Sequence, residues 1–160
     1  MPKTILITGA TSGFGEATAR RFAAEGHRVI ITGRRKERLD ALQRELEGLY
    51  GSMDTHDRVH CLHFDVRDQV DVEKAIAALP PEWATIDVLV NNAGLAAGLD
   101  PIQDGKLDDW EKMLNTNVKG LLYVTRAVIP RMIAPKAKAV GCAKQICPNK
   151  TQIWACHYKE

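Results

Sequence analysis

Three glycines, Gly9, Gly13 and Gly15, follow an apolar run at residues 5–7 and have the spacing of a phosphate-binding loop. A strand that turns sharply into a helix needs Gly9 in the turn, and Gly13 leaves room for a pyrophosphate to reach the backbone. Gly15 lets the helix pack closely on the sheet, and the free N–H groups at the helix start favour anions. A glycine-rich structural turn is the alternative interpretation. The strand before the loop and the helix after it favour dinucleotide binding.

The segment Thr32-Gly33-Arg34-Arg35, which ends the second apolar run, bears on the type of dinucleotide. An acidic residue at this point binds a free ribose 2′-hydroxyl, whereas arginine binds a 2′-phosphate. No Asp or Glu stands between this run and Glu37, so Arg34 and Arg35 favour NADP over NAD. The alternative is that both arginines belong to the solvated start of a charged helix.

Short apolar runs alternate with segments of helical periodicity up to residue 134. Strands are predicted at residues 4–8, 28–32, 59–64 and 86–91, and helices at residues 16–25, 36–49, 70–79, 107–115 and 118–134. This alternation predicts βαβ units with right-handed crossovers and a parallel sheet, and with the glycine loop it indicates an α/β, Rossmann-like doubly wound fold. We divide the chain into an incomplete NADP-binding domain at 1–134 and a tail at 135–160.

Four motifs occur in the order found in the short-chain dehydrogenase/reductase family: TGATSGFG at 8–15, Asp65-Val66, NNAG at 91–94 and NTNVKG at 115–120. Over about residues 3–133 the chain resembles this family. The segments SGFGEA, TGRRKERL, NNAGLAAGL and LLYVTRAVIPRM are most similar to its NADP-dependent 3-hydroxy acid (serine-type) dehydrogenases. The resemblance implies an oxidoreductase that interconverts a hydroxyl and a carbonyl on a small substrate, for example a 3-hydroxy acid such as serine.

The resemblance also implies which residues bind the cofactor. Those expected to line the pyrophosphate are Gly9, Ser12, Gly13, Phe14 and Gly15. Those expected at the 2′-phosphate are Arg34 and Arg35, and those expected at the adenine are Asp65 and Val66.

Four further residues receive roles from the same resemblance. Asn91, Ala93 and Gly94 are expected to stabilise the central strand and to contact the ribose, and the backbone of Asn117 is expected to hold a water of the catalytic proton relay. An ordinary strand-to-loop turn is the alternative for Asn91, and a polar residue within a helix is the alternative for Asn117.

Catalysis in this family uses a tyrosine four residues before a lysine on one helix, together with a serine from the preceding strand. That spacing places the ammonium one turn from the phenol, whose pKa it lowers. Tyr50 and Tyr123 are followed four residues later by Asp54 and Ala127, and Tyr158 stands two residues before Glu160. Asn117 is therefore the one residue of the family's catalytic proton relay that we predict in this chain. The resemblance also implies that the sheet is truncated after its fourth strand and the helices that follow. Whether the chain is an enzyme stays open, and the alternative function is a truncated, catalytically inactive NADP(H)-binding fragment.

The tail at 135–160 differs from the rest in charge and cysteine content. It carries five lysines, with Glu160 as its one acidic residue, and contains Cys142, Cys147, Cys156 and His157. Closed zinc sites use ligands paired two to four residues apart, so we predict no metal site. We expect an irregular tail that leaves the fourth strand at an open sheet edge, which favours self-association or aggregation.

Composition and the N-terminal sequence limit the possible partners and location of the protein. A net charge of +2 with 26% charged residues indicates neither a nucleic-acid partner nor a membrane surface. No apolar run approaches the ~20 residues of a spanning helix. Because the N-terminus continues directly into a predicted strand, we expect no signal peptide and a cytoplasmic location. The family resemblance implies a homo-oligomer with a small-molecule substrate.

Overall fold

The computed structural model describes residues 2–49, 58–133, 139–146 and 152–159. Four short strands form the parallel part of one sheet: β1 (Thr4–Ile7), β2 (Arg28–Gly33), β3 (Val59–His63) and β4 (Val88–Asn91). They pair in the order β3-β2-β1-β4. β1 and most of β2 are apolar and buried, as is usual for parallel strands covered on both faces. The predicted α/β class and Rossmann-like parallel sheet are confirmed.

Five α-helices connect or flank these strands: α1 (Gly13–Ala24), α2 (Lys36–Leu49), α3 (Gln69–Ala77), α4 (Leu107–Leu114) and α5 (Leu121–Ile133). A π-helical turn, Asn115–Gly120, joins α4 to α5, so α5 begins at residue 121 and not at the predicted residue 118. α1 begins three residues before the predicted start, at Gly13. The predicted last residue of α5, Ala134, lies outside the described residues.

Two hydrophobic clusters cover the two faces of the sheet. Leu6 belongs to the cluster that contains Val72 of α3 and Val124 of α5. Its neighbour Ile5 belongs to the cluster that contains Leu39 of α2. Successive side chains of β1 therefore point to opposite faces, and each face is covered by its own pair of helices. Because the four strands run parallel, their carboxyl ends lie together at one end of this sandwich.

The sheet continues beyond β4 in a way that the sequence did not predict. Two strands, β5 (Ala139–Ile146) and β6 (Gln152–Lys159), form an antiparallel pair, and β6 also pairs antiparallel with β4. The expected irregular tail is therefore wrong for these two segments, and β4 is not an open edge. Unpaired N–H and C=O groups at a sheet edge favour pairing with any extended segment, which composition alone does not reveal. The predicted boundary at residues 134 and 135 lies outside the described residues.

Within the described ranges, no helix is both long and apolar enough to cross a bilayer. The same ranges contain no group of three or more His, Cys, Asp or Glu side chains arranged to hold a metal ion. The side chains of Cys142, Cys147, Cys156 and His157 are outside the described part, so the absence of a metal site there stays a prediction.

Candidate functional site: a cleft at the carboxyl ends of the strands

The carboxyl ends of the four parallel strands open into a cleft of about 790 Å³. Its walls are the glycine loop, the segments that follow β2 and β3, residues 91–96 and the π-helical turn. In open α/β sheets, ligands bind at the carboxyl ends of the strands, at the point where the strand order reverses around β1. The volume is in the range typical of cofactor sites.

Most of the residues predicted from the sequence line this cleft: Gly9, Ser12, Phe14, Arg34, Arg35, Asp65, Val66, Asn91, Ala93, Gly94 and Asn117. Gly13 and Gly15 do not line it, and lie at the start of α1. The cleft also contains residues to which the sequence analysis gave no role: Thr11, Thr32, Gly33, Phe64, Asn92, Leu95, Ala96, Thr116 and Leu121. Thr11, Phe64 and Thr116 each stand beside a predicted site residue in the chain, and that adjacency was the available signal.

The glycine loop has the backbone that a phosphate site requires. Gly9 and Gly13 have φ values of 65° and 58°, a region that side chains other than glycine rarely adopt. A Cβ on Gly13 would meet nothing within 4 Å, so the space above it is open. Ser12, the N-cap of α1, makes no capping hydrogen bond with its side chain. The N–H groups of the first turn of α1 are therefore available to an anion.

Gly15 has a different role, which is to let α1 approach the end of β4. A Cβ on Gly15 would overlap the side-chain amide of Asn92 and would lie 2.5 Å from the carbonyl oxygen of Gly9. A Cβ on Gly9 would lie 2.9 Å from the Cα of Ala93. The glycine loop and the NNAG segment are therefore in direct backbone contact, which larger residues at these positions would prevent.

Thr8 and Asn92 hold these two loops together by hydrogen bonds. The Thr8 hydroxyl oxygen accepts from the backbone N–H groups of Asn92 at 3.0 Å and Ala93 at 2.9 Å. The Asn92 side-chain amide donates to the carbonyl oxygens of Thr8 at 3.0 Å and Gly9 at 3.2 Å. Each side chain satisfies backbone groups that leave the ladder where β1 and β4 end.

Asn91 and Asn117 make equally specific contacts on the α5 side of the cleft. The Asn91 amide donates to the Thr125 hydroxyl at 2.9 Å. The Asn117 amide donates to the Leu95 carbonyl oxygen at 2.7 Å and accepts from the Leu95 N–H at 2.9 Å. Because Asn117 lies within the π-helical turn, this pair of bonds fastens the loop after β4 to the irregular part of the helix.

The segment after β2 brings two cations to the rim of the cleft. The Arg35 guanidinium donates to the hydroxyl oxygens of Thr11 and Ser12, both at 3.2 Å. A Cβ on Gly33 would lie 2.8 Å from a methyl carbon of Thr11, so the absence of a side chain there lets β2 approach the glycine loop. Arg35 and the start of α1 therefore face the same part of the cleft.

Asp65, just after β3, is an acidic residue of the cleft and lies close to Arg34. Arg67 donates to both of its carboxylate oxygens, with a shortest distance of 2.6 Å, and Arg34 lies 3.7 Å away. Partial burial of Asp65 opposes ionisation, but the hydrogen bonds from Arg67 and the charges of Arg67 and Arg34 outweigh it. The pKa of Asp65 therefore lies below its ordinary value, and the group is a carboxylate at neutral pH.

Three buried polar atoms have no hydrogen-bond partner among the described residues: Thr32 Oγ1, Asn91 Oδ1 and Thr116 Oγ1. All three residues line the cleft. A buried polar atom without a partner costs free energy, so a cluster of them in one cavity indicates that a polar ligand or water completes the site. A dinucleotide, with its ribose hydroxyls and amide, fits this requirement.

Comparison with known proteins identifies the family. The family model described as short chain dehydrogenase matches residues 3–153, which extends past the predicted limit at residue 133. The chain belongs to the short-chain dehydrogenase family. The chain is 50% identical over 129 residues to the NADP-dependent 3-hydroxy acid dehydrogenase YdfG of Escherichia coli K12, a match that covers 81% of this chain and 48% of that protein.

Two other short-chain dehydrogenases are similar at the same level. Serine 3-dehydrogenase of Agrobacterium fabrum is 51% identical over 141 residues, covering 88% of this chain and 53% of that protein. The closed form of serine dehydrogenase complexed with NADP+ is 49% identical, with a TM-score of 0.73, and covers 81% of this chain and 49% of that one. The chain spans about half the length of the curated relatives it matches.

Gly15→Ala tests whether the close packing of α1 against the end of β4 requires a glycine at residue 15. We expect this substitution to lower the free energy of unfolding by about 1 to 3 kcal/mol, because the added methyl group overlaps Asn92 and Gly9. Urea denaturation followed by circular dichroism measures it. The control is Gly48→Ala in α2, where a Cβ meets nothing within 4 Å and the change should stabilise by about 0.5 to 1 kcal/mol. Equal effects of the two substitutions would contradict the packing described for Gly15.

Proposed function

We propose that the cleft binds NADP(H), and that the chain is the cofactor-binding half of an NADP-dependent oxidoreductase. The observation that carries this proposal is the position of Arg35, whose guanidinium spans from the end of β2 to the hydroxyls of Thr11 and Ser12. A 2′-phosphate bound at the end of β2 would meet Arg35 and Arg34 with no acidic residue on that strand.

The rest of the cleft suits the other parts of the cofactor. We infer that the start of α1, with Gly9, Ser12, Gly13, Phe14 and Gly15, holds the pyrophosphate, because its free N–H groups favour negative charge. Asp65 and Val66 would face the adenine. Asn91, Ala93 and Gly94 would face the ribose, and the unpartnered oxygen of Asn91 supplies an acceptor there.

The bound cofactor would supply or accept the hydride that interconverts a hydroxyl and a carbonyl. Asn117 would act through its backbone, which its side-chain bonds to Leu95 hold in place beside the cleft. By similarity to the NADP-dependent 3-hydroxy acid and serine dehydrogenases, the substrate of the whole protein would be a small 3-hydroxy acid such as serine. We also propose a cytoplasmic location on that basis.

A second candidate function, NADP(H) binding without turnover by these 160 residues, is favoured by a specific observation. The sequence contains no tyrosine followed four residues later by a lysine. In addition, the strand beside β4 is β6, which runs antiparallel and places Trp154 opposite Asn91. Hydride transfer needs a general acid or base within reach of the substrate hydroxyl, and neither an asparagine amide nor a tryptophan indole supplies one.

The 2′-phosphate contact is tested by Arg35→Met. Loss of one charge-assisted contact should weaken NADPH binding by about tenfold, whereas NADH binding should change by less than about twofold. Fluorescence titration of each nucleotide measures both dissociation constants. Arg44→Met, an exposed position on α2 whose guanidinium bonds the Asp40 carbonyl, serves as the charge-matched control. An equal loss of affinity for both nucleotides would show that Arg35 does not contact the 2′-phosphate.

The absence of turnover is tested with the chain as it stands. NADP+ and serine, or NADP+ and another 3-hydroxy acid, should give no NADPH above the rate without protein, although the same sample binds NADPH. Absorbance of the reduced cofactor measures this. Sustained NADPH formation that depends on protein concentration would contradict the binding-only function and would require a proton-transfer group outside the described cleft.

We also propose that the chain self-associates through one face of α5. Leu122, Ile129 and Ile133 are exposed, and their spacing places them on the same side of α5. Val118, in the π-helical turn before α5, is also exposed. Exposed apolar side chains that share one side of a helix favour association. A second copy of the chain is the occupant we propose, because the family resemblance implies homo-oligomers.

Leu122→Glu should shift the chain from a larger species to a monomer, because it places a charge in the middle of this apolar face. Size-exclusion chromatography with light scattering gives the mass. Val70→Glu on α3 is a matched control, since Val70 and Leu122 are both 57% exposed. A parent chain that is monomeric at every concentration measured would overturn the proposal.

A further inference from the structure

Asp65 stands between two arginines that it does not contact equally. Arg67 donates through Nε to both carboxylate oxygens, at 3.1 and 3.0 Å, and through Nη2 to one of them at 2.6 Å. The backbone N–H of Arg67 donates to the same carboxylate at 3.0 Å. Arg34 approaches it only to 3.7 Å, which is beyond hydrogen-bond distance. Arg67 is therefore the principal partner of Asp65.

The positions of the two arginines relative to the cleft differ as well. Arg34 and Asp65 line the cleft, whereas Arg67 is not among the lining residues. A carboxylate has about four lone-pair sites on its two oxygens, and the guanidinium and backbone N–H of Arg67 make four contacts with them. The donors of Arg34 are therefore left for another anion. If Arg67 lost its charge, Arg34 would be the nearest remaining cation for Asp65, and the carboxylate would lie uncompensated beside the proposed 2′-phosphate position.

We propose that Arg67 is a positioning residue for cofactor selectivity, which neutralises Asp65 and thereby leaves Arg34 free to bind the 2′-phosphate. This inference rests on the proposed NADP(H) function. It assigns part of the preference for a 2′-phosphorylated nucleotide to a residue outside the cleft, which acts through the cleft residue Asp65. The low pKa of Asp65 is consistent with it, because the partial burial that would otherwise raise that pKa is outweighed by the hydrogen bonds and charge of Arg67, with the charge of Arg34.

Two nucleotides that differ only in the 2′-phosphate isolate this effect: adenosine 2′,5′-bisphosphate and adenosine 5′-monophosphate. Both carry the adenine and the ribose, so the ratio of their dissociation constants reports the 2′-phosphate contact alone. Isothermal titration calorimetry at low ionic strength is suitable, because charge interactions at this exposed rim are screened by salt. The full 160-residue chain is used throughout.

Arg67→Met should weaken binding of the bisphosphate by about five- to tenfold and binding of the monophosphate by less than about twofold. Arg67→Lys should recover most of the bisphosphate affinity, because it restores the charge. Asp65→Asn combined with Arg67→Met should restore the parent ratio, because it removes the carboxylate that Arg34 would otherwise neutralise. The control is Arg21→Met, which removes an exposed arginine of α1 that pairs with Glu25. It should leave the ratio of the two dissociation constants unchanged.

The other outcomes separate this inference from the function on which it rests. Equal weakening of both nucleotides by Arg67→Met would mean that Arg67 only maintains local structure, and would overturn the proposal. An unchanged ratio in Arg67→Met, with the bisphosphate still preferred, would also overturn it while leaving NADP(H) binding intact. If the parent chain bound neither nucleotide, the proposed function itself would fail and the inference with it.

Discussion

The ends of β1 and β4 are joined by hydrogen bonds between two loops, and the cleft depends on that junction. Where parallel strands end, their backbone groups leave the ladder and need other partners. Thr8 and Asn92 supply those partners, each with a side chain that bonds two backbone groups of the opposite loop. Because the backbones then lie so close, Gly9 and Gly15 have no room for a side chain. The same contact directs the start of α1 towards the cleft.

The second determinant of the site is the distribution of charge around the ends of β2 and β3. Arg35 is held across the glycine loop by the hydroxyls of Thr11 and Ser12, and Asp65 is neutralised mainly by Arg67. The positive potential is therefore concentrated where a 2′-phosphate would lie, next to the helix start proposed for the pyrophosphate. One rim of the cleft thus combines two features that favour phosphate, which are guanidinium groups and free backbone N–H groups.

The sequence predicted the parallel sheet well because buried parallel strands have an unmistakable pattern. The runs at residues 4–8 and 28–32 match β1 and β2 to within one residue. The glycine loop was identifiable because its backbone requires glycine, whereas the NNAG segment was identified through its resemblance to a family motif. The π-helical turn at Asn115–Gly120 was not predicted, because one inserted residue shifts the phase of the apolar pattern, as a break between two helices also does. The roles of Thr8 and Asn92 depend on contacts with a segment far away in the chain, which local patterns do not encode. The pairing of β6 with β4 likewise depends on an open sheet edge and not on the composition of the tail.

The most direct test of this account is a two-dimensional nuclear magnetic resonance titration of the isotope-labelled chain with NADP+. In the proposed complex the cofactor contacts the glycine loop, the end of β2, the segment after β3 and residues 91–94. We therefore expect that amide signals of Gly9, Gly13, Arg35, Val66 and Gly94 shift together with a single saturating affinity, while those of α2 beyond its first turn stay in place. If no amide signal shifted, or if signals on the exposed face of α5 shifted while those of the glycine loop did not, the proposed cofactor site would be contradicted.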